Sequence, residues 1–266
     1  MSAVLGGTVT ILGAGGPVGA AAALRLQHEY VLRLTDLLAY DEIPIPKDAN
    51  QPHPPRLAPP HSWRQTDITD YAQVLQAVQG ADAAINTSVM RHDPRQAFGV
   101  NMIGAYNLAK AAAAAAVKRI IHTGPWHCFT GFEGDHQYTT DIPDETPMHA
   151  GTNLYALTKL LGSQVCRAFA ETGSIEVLSF LFAGFRRGDG GTAADGSGIG
   201  PMVISWEDTG EVIRCGLRAG QLPNPHEVFT MTARLPHGRY SCTKAERLLG
   251  WVPRHNFERL YTITDV

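Results

Sequence analysis

Short apolar runs alternate with amphipathic stretches along most of the chain. The run TVTIL at 8–12 predicts a strand, and residues 18–27 predict a helix behind it. A second strand is expected at 30–34, running up to Asp36. Then come a short strand at 62–66, a helix at 71–79, a strand at 83–86 and one long helix at 95–116 that ends in six alanines. A strand at 119–123, a helix at 153–171 and a strand at 175–182 complete the series. Alternating β and α units of this length imply an α/β fold, a doubly wound parallel sheet with helices on both faces.

Two stretches break the rhythm. Residues 44–60 hold seven prolines, which lack the amide and disfavour helix before them, so an extended surface loop is expected. From residue 184 the composition shifts, with a glycine-rich loop at 188–200 and helices at 204–219 and 243–249. The expected organisation is a doubly wound sheet domain at 1–183 and a small region at 184–266 that does not fold alone. That region would cap the carboxyl ends of the strands, where open α/β sheets bind ligands.

The turn after the first strand carries the first chemical signal. Gly13, Gly16 and Gly19 have the spacing GxxGxxG, with Pro17 and Val18 between. Such glycines give a tight turn, a close backbone approach to a pyrophosphate and close helix–strand packing. The helix N-terminus adds free amides and a partial positive charge, and Pro17 is tolerated at a first helical position. Asp36, at the end of the second strand, stands where an acid accepts hydrogen bonds from a ribose diol and repels a 2′-phosphate. The pair favours NAD over NADP.

Composition narrows the field. A net charge of −3 without a basic block gives no sign of nucleic acid or an anionic membrane. The apolar start of the chain is interrupted by glycines and has no positive leader, so a strand and turn explain it better than a membrane span. Cys128, Cys166, Cys215 and Cys242 have no paired spacing and read as reduced thiols, which suggests the cytoplasm. No HExxH and no clustered Cys/His set is present, so no metal site is expected.

Further motifs now line up: Asp67-Ile68 after the third strand, the strand end Asn86-Thr87-Ser88, Asn101 in VNMIGAYNLAKAA, and Tyr155 with Lys159 in YALTK. In this order the chain resembles the extended short-chain dehydrogenase/reductases, the NAD-dependent epimerase/dehydratase family. The resemblance implies a Rossmann-type domain with bound NAD. Asp67 and Ile68 would lie near adenine, Thr87 and Ser88 would border the cofactor, and Asn101 would support the active-site helix. Physics supports the Tyr/Lys pair. Residues i and i+4 share one helix face. A phenol titrates near 10, and a nearby ammonium and a positively charged nicotinamide would lower that value until Tyr155 can act as acid and base. Lys159 would also bond the nicotinamide ribose.

One position departs from the family. A Ser or Thr usually orients the reacting oxygen ahead of YxxxK, and here RIIHTGPWHC puts Pro125 there. Thr123 is one replacement, but two residues span about 6.6 Å along a strand, so the backbone would have to bulge. His127 is a second replacement, as donor or as an acid near neutral pH. The third reading is a protein that binds NAD without turnover.

The short tail suggests a small substrate. Among smaller family members the layout resembles the uronate dehydrogenases, through LRLTDL, NMIGAYNLAKAA, His127 and WEDTGEVI. Those relatives have serines and an asparagine where this chain has Gly124, Pro125 and Trp126. Trp126 stacks on a sugar or covers the core in alternative readings. Arg186 and Arg187 bind an anionic substrate or stay solvated. A homodimer through the helices at 95–116 and 153–171 is expected by the same resemblance.

Overall fold

The computed structural model describes residues 6–48, 50–129, 148–189, 202–236, 238 and 240–258. Its strands are β1 (Thr8–Leu12), β2 (Val31–Asp36), β3 (Ser62–Gln65), β4 (Ala83–Asn86), β5 (Arg119–Pro125), β6 (Glu176–Phe182), β7 (Gly184–Arg186), β8 (Val203–Ser205) and β9 (His226–Thr230). Seven of them form a sheet in the order β3-β2-β1-β4-β5-β6-β9, with every pairing parallel. The chain winds outward from β1 in one direction and from β4 in the other. The crevice between those two strands is the switch point of the topology.

The helices are α1 (Pro17–Leu26), α2 (Tyr71–Val78), α3 (Pro94–Ala97), α4 (Gly104–Ala114), α5 (Leu154–Glu171), α6 (Trp206–Arg218) and α7 (Thr243–Leu249). Strand alternation sorts the core into two layers. Ile11, Ile85, Ile121 and Leu178 face α1 and α6, where they meet Leu26, Val212 and Leu217. Their neighbours Leu12, Ala84, Ile120 and Val177 face α2, α4 and α5, where they meet Val74, Leu108 and Cys166. A sheet buried on both faces reads as continuous apolar runs, and β6 has no exposed residue.

The structure changes two expectations. The helix expected at 95–116 is a composite: α3 passes through a π-helical turn (Phe98–Ile103) into α4. The π-turn brings buried Asn101 into contact with Met90 and Thr158. Helix α4 stops at Ala114, two residues before the alanine run ends, because Val117 must enter the core before β5, and Ala116 takes a left-handed turn at φ 56°.

The sheet also does not end at β6. β9, from the tail, pairs with β6 from Val177↔His226 to Leu181↔Thr230. Arg119 of β5 reinforces the join. Its guanidinium is 1% exposed, bonds Glu176, and donates to the carbonyls of Gly216, Leu217, Ala219 and Gly220 at the end of α6. The sheet is therefore built from both sides of the expected boundary at residue 183. Of the expected glycine-rich loop, residues 190–200 lie outside the described residues.

Candidate active site

The carboxyl ends of β1, β4, β5 and β6 open into a cleft of about 660 Å³. Gly16, Pro17 and Val18 form one wall, and Thr87, Thr123, Gly124 and Pro125 lie along the strand ends. His127, Tyr155 and Lys159 line it further on, with Arg186 and Arg187 at the tail side.

The turn has the shape a dinucleotide phosphate needs. Gly13 has φ 79°, and a Cβ there would meet the Ser88 backbone nitrogen at 2.6 Å. A Cβ on Gly19 would meet the Gly13 oxygen at 2.6 Å. Gly16 instead faces space, its nearest atom being the Gly13 oxygen at 3.5 Å. Gly16 caps α1 without a side-chain hydrogen bond, so no side chain competes for the first amides of the helix. Asp36 accepts from the Gly15 amide at 2.9 Å, which puts its carboxylate beside the turn. These residues fit NAD.

Other expected cofactor residues are placed less directly. Thr87 lines the cleft, but its hydroxyl donates to the carbonyls of Leu12 and Gly13 and so ties β4 to β1. Ser88 takes part through its carbonyl, which accepts from the Lys159 ammonium at 2.7 Å. Asp67 accepts from the amide and hydroxyl of Thr69, and Ile68 packs against Gly104. Both follow β3 next to β2, outside the cleft lining. Asn101 joins two site elements, bonding the amide and carbonyl of Met90 and donating to Thr158 on α5 at 2.9 Å.

Burial dominates the site's electrostatics. It pushes the Tyr155 phenol above its usual value, and the positive charge of Arg91, whose guanidinium lies over the ring, opposes this. The protein cation that opposes burial at Tyr155 is Arg91, while the Lys159 ammonium donates to the Ser88 carbonyl. Burial takes Lys159 down to about 8, and Arg91 adds to the fall. His127 is lowered by burial and then by Arg91.

At the serine position β5 runs in regular register to Pro125↔Phe182, with no bulge. The Thr123 hydroxyl donates to the Asn86 carbonyl at 2.9 Å. Trp126 packs with Phe129 and Tyr240 and is not among the cleft lining residues.

Sequence reasoning missed several lining residues. Arg91 and His92 come from the segment after β4, and Asp48, Asn50 and Gln51 from the proline-rich loop. That loop is strapped down by Tyr40, whose hydroxyl donates to the Pro54 carbonyl and whose ring lies under Arg56. Phe185 and Trp206 stack with centroids 4.4 Å apart and interplanar angle 3°. They meet because β7 pairs with β8, and no local signal announces that pairing.

A glycine turn at the switch point of a doubly wound sheet, facing a tyrosine and a lysine one helical turn apart, defines a Rossmann-type nicotinamide-nucleotide enzyme. A model of the NAD dependent epimerase/dehydratase family matches residues 9–184, and the chain belongs to this family. NAD is accordingly its cofactor. A dTDP-4-dehydrorhamnose reductase of Mycolicibacterium smegmatis is 33% identical over 132 residues, 47% of this chain and 38% of that protein. A uronate dehydrogenase of Pseudomonas putida is 26% identical over 172 residues, 64% of this chain and 58% of that one. The chain thus spans well under two thirds of the length of these relatives. The structure of an Agrobacterium tumefaciens uronate dehydrogenase variant complexed with NAD shares the fold, with TM-score 0.74, 20% identity and coverage of 98% of this chain and 92% of that one.

Proposed function

We propose that the protein transfers hydride between NAD and a hydroxyl-bearing carbon of a small sugar or sugar acid. The observation that carries this is the convergence of Tyr155, Lys159, His127 and Arg186 on the cleft that begins at the Gly16–Val18 turn. NAD supplies the hydride acceptor. Tyr155 takes the substrate hydroxyl proton, Lys159 holds the cofactor side of the cleft beside Ser88, and His127 is a further polar group for the substrate. Arg186 and Arg187 suit a carboxylate, and Phe185 with Trp206 suits a sugar face. In this reading the region after residue 183 forms the substrate side. A uronic acid fits these groups and the relatives' names.

The test is NADH absorbance while purified protein and NAD meet a panel of uronic acids, aldoses and small secondary alcohols. Turnover that disappears in Tyr155→Phe, with NAD binding kept, supports the reading. Full activity in that variant rejects it. One observation favours a second reading, NAD binding without net oxidation: Pro125 occupies the serine position while the Thr123 hydroxyl is engaged with Asn86. That reading expects NAD affinity and a silent panel; isomerised sugar in the silent mixtures would mark an epimerase.

Exposed Phe98, Ile103 and Tyr106 on the composite helix and Leu154 on α5 support a homodimer through these helices. A monomer by light scattering at micromolar concentration removes it. The cytoplasm fits the four free cysteines. Among the described residues, no helix is long and apolar enough to cross a membrane.

A further inference from the structure

We propose that Arg91 is a catalytic residue: beside Tyr155, its guanidinium takes the part of the hydroxyl absent at Pro125, holding the reacting oxygen and the phenolate that receives the proton. The inference rests on Tyr155 being the acid and base.

Geometry carries it. Arg91 and Tyr155 line the same cleft, and the guanidinium carbon lies 5.5 Å from the phenol ring centroid. The positive charge of Arg91 opposes the burial of the Tyr155 phenol and also reaches Lys159 and His127. One cation thus sits among the three groups assigned to the chemistry.

Its backbone is positioned from both sides. Asn101 clamps the preceding residue, accepting from the Met90 amide at 3.0 Å and donating to the Met90 carbonyl at 2.8 Å. Two residues later Asp93 caps α3 by accepting from the Gln96 amide. Asn101 also donates to Thr158, whose hydroxyl donates to the Tyr155 carbonyl. The π-turn therefore connects the Arg91 loop to the helix that carries Tyr155. Strand β5 offers no rival hydroxyl, since Thr123 is engaged with Asn86 and position 125 is proline.

The chemistry balances without consuming Arg91. In oxidation, the substrate C–H bond breaks and its electron pair leaves as hydride for NAD. The hydroxyl proton passes to the Tyr155 phenolate, a C=O bond forms, and the proton then leaves Tyr155 for water. Arg91 keeps its protons throughout. It donates to the oxygen that loses one and opposes the burial that disfavours the phenolate. Because Arg91 is exposed, replacing it leaves the core intact, while water screens part of its charge.

The experiment follows the phenolate ultraviolet band of the protein against pH, alone and with NAD, with Tyr155→Phe subtracted as reference. Arg91→Gln is expected to raise the Tyr155 midpoint by roughly one pH unit, and Arg91→Lys to keep most of the parent value. On any substrate that the panel supports, Arg91→Gln should lower kcat by roughly 10- to 100-fold and move the acid limb of the pH profile upward. Adding Pro125→Ser to Arg91→Gln should recover part of that loss. An unchanged Tyr155 midpoint overturns the proposal, as does a rise in KM alone, which would make Arg91 a substrate-binding group only. A Tyr155→Phe variant with full turnover rejects the acid/base reading itself, a different outcome. A silent panel leaves the titration to decide.

Discussion

Lys159 is 2% exposed, and its ammonium donates to the Ser88 carbonyl. Burial holds its folded-state value at about 8, below the ordinary 10.5. A lowered value means that the unfolded chain binds the proton more tightly. The destabilisation is therefore fully present below about pH 8, shrinks as pH rises from about 8 towards 10.5, and is gone above that. Lys159→Met should be more stable than the parent at pH 7 by about 1–2 kcal/mol, after allowing for the lost Ser88 bond. It should lose that margin near pH 10 and should have no turnover at either pH. Thermal melts at the two pH values check this. A variant less stable at pH 7 would mean that the bond to Ser88 outweighs the burial of the charge.

The helix from Pro94 to Ala114 shows how an element serves the site by being irregular. Six residues in π geometry re-aim Asn101, which a straight helix of the same sequence would not direct at both Met90 and Thr158. The far end of the helix carries an unrelieved strain. Ala116 adopts φ 56°, with the Val117 amide bonding the Ala112 carbonyl in the manner of a glycine-ended helix. Ala116 is exposed, so its methyl group contributes little packing. Ala116→Gly should stabilise the protein by about 1 kcal/mol without touching the cleft. Urea unfolding measures it, and a loss of stability would show that the left-handed turn costs alanine nothing here.

At the scale of the molecule, the tail completes the main sheet. β9 extends it, and α6 packs on α1 across a charged seam where Glu29 meets Arg25, Arg214 and Arg218. Half-buried ion pairs of this kind, still reached by water, contribute little each. Arg119 matters more, because it is buried with Glu176 and serves four carbonyls at the end of α6. Arg119→Met would leave a buried carboxylate without its cation. The expected cost is about 3–5 kcal/mol, seen in calorimetry as one cooperative transition at a lower temperature. Two separated transitions would indicate that the tail unfolds independently of the sheet.

The sequence by itself determined the elements whose pattern is local. β4 and α7 fall where the apolar periodicity puts them, and β1 ends at the glycine turn. The spacing of Gly13, Gly16 and Gly19, with Asp36 one strand away, marked the turn that lines one side of the cleft, because the steric demands of such a turn are met by neighbours in the chain. The tyrosine and lysine were legible for the same reason, lying one turn apart on a helix. What depended on distant partners was decided by the tertiary structure. The five-residue run HEVFT became a strand only against β6. Trp206 met Phe185 only through β7 and β8, and Asp48 reached the cleft only because Tyr40 ties down its loop. Arg91 stands beside Tyr155 because Asn101 joins two segments far apart in the chain. Local sterics and periodicity are written into consecutive residues, whereas which side chains share a cleft is settled by the pairing of strands and the packing of helices that bring them together.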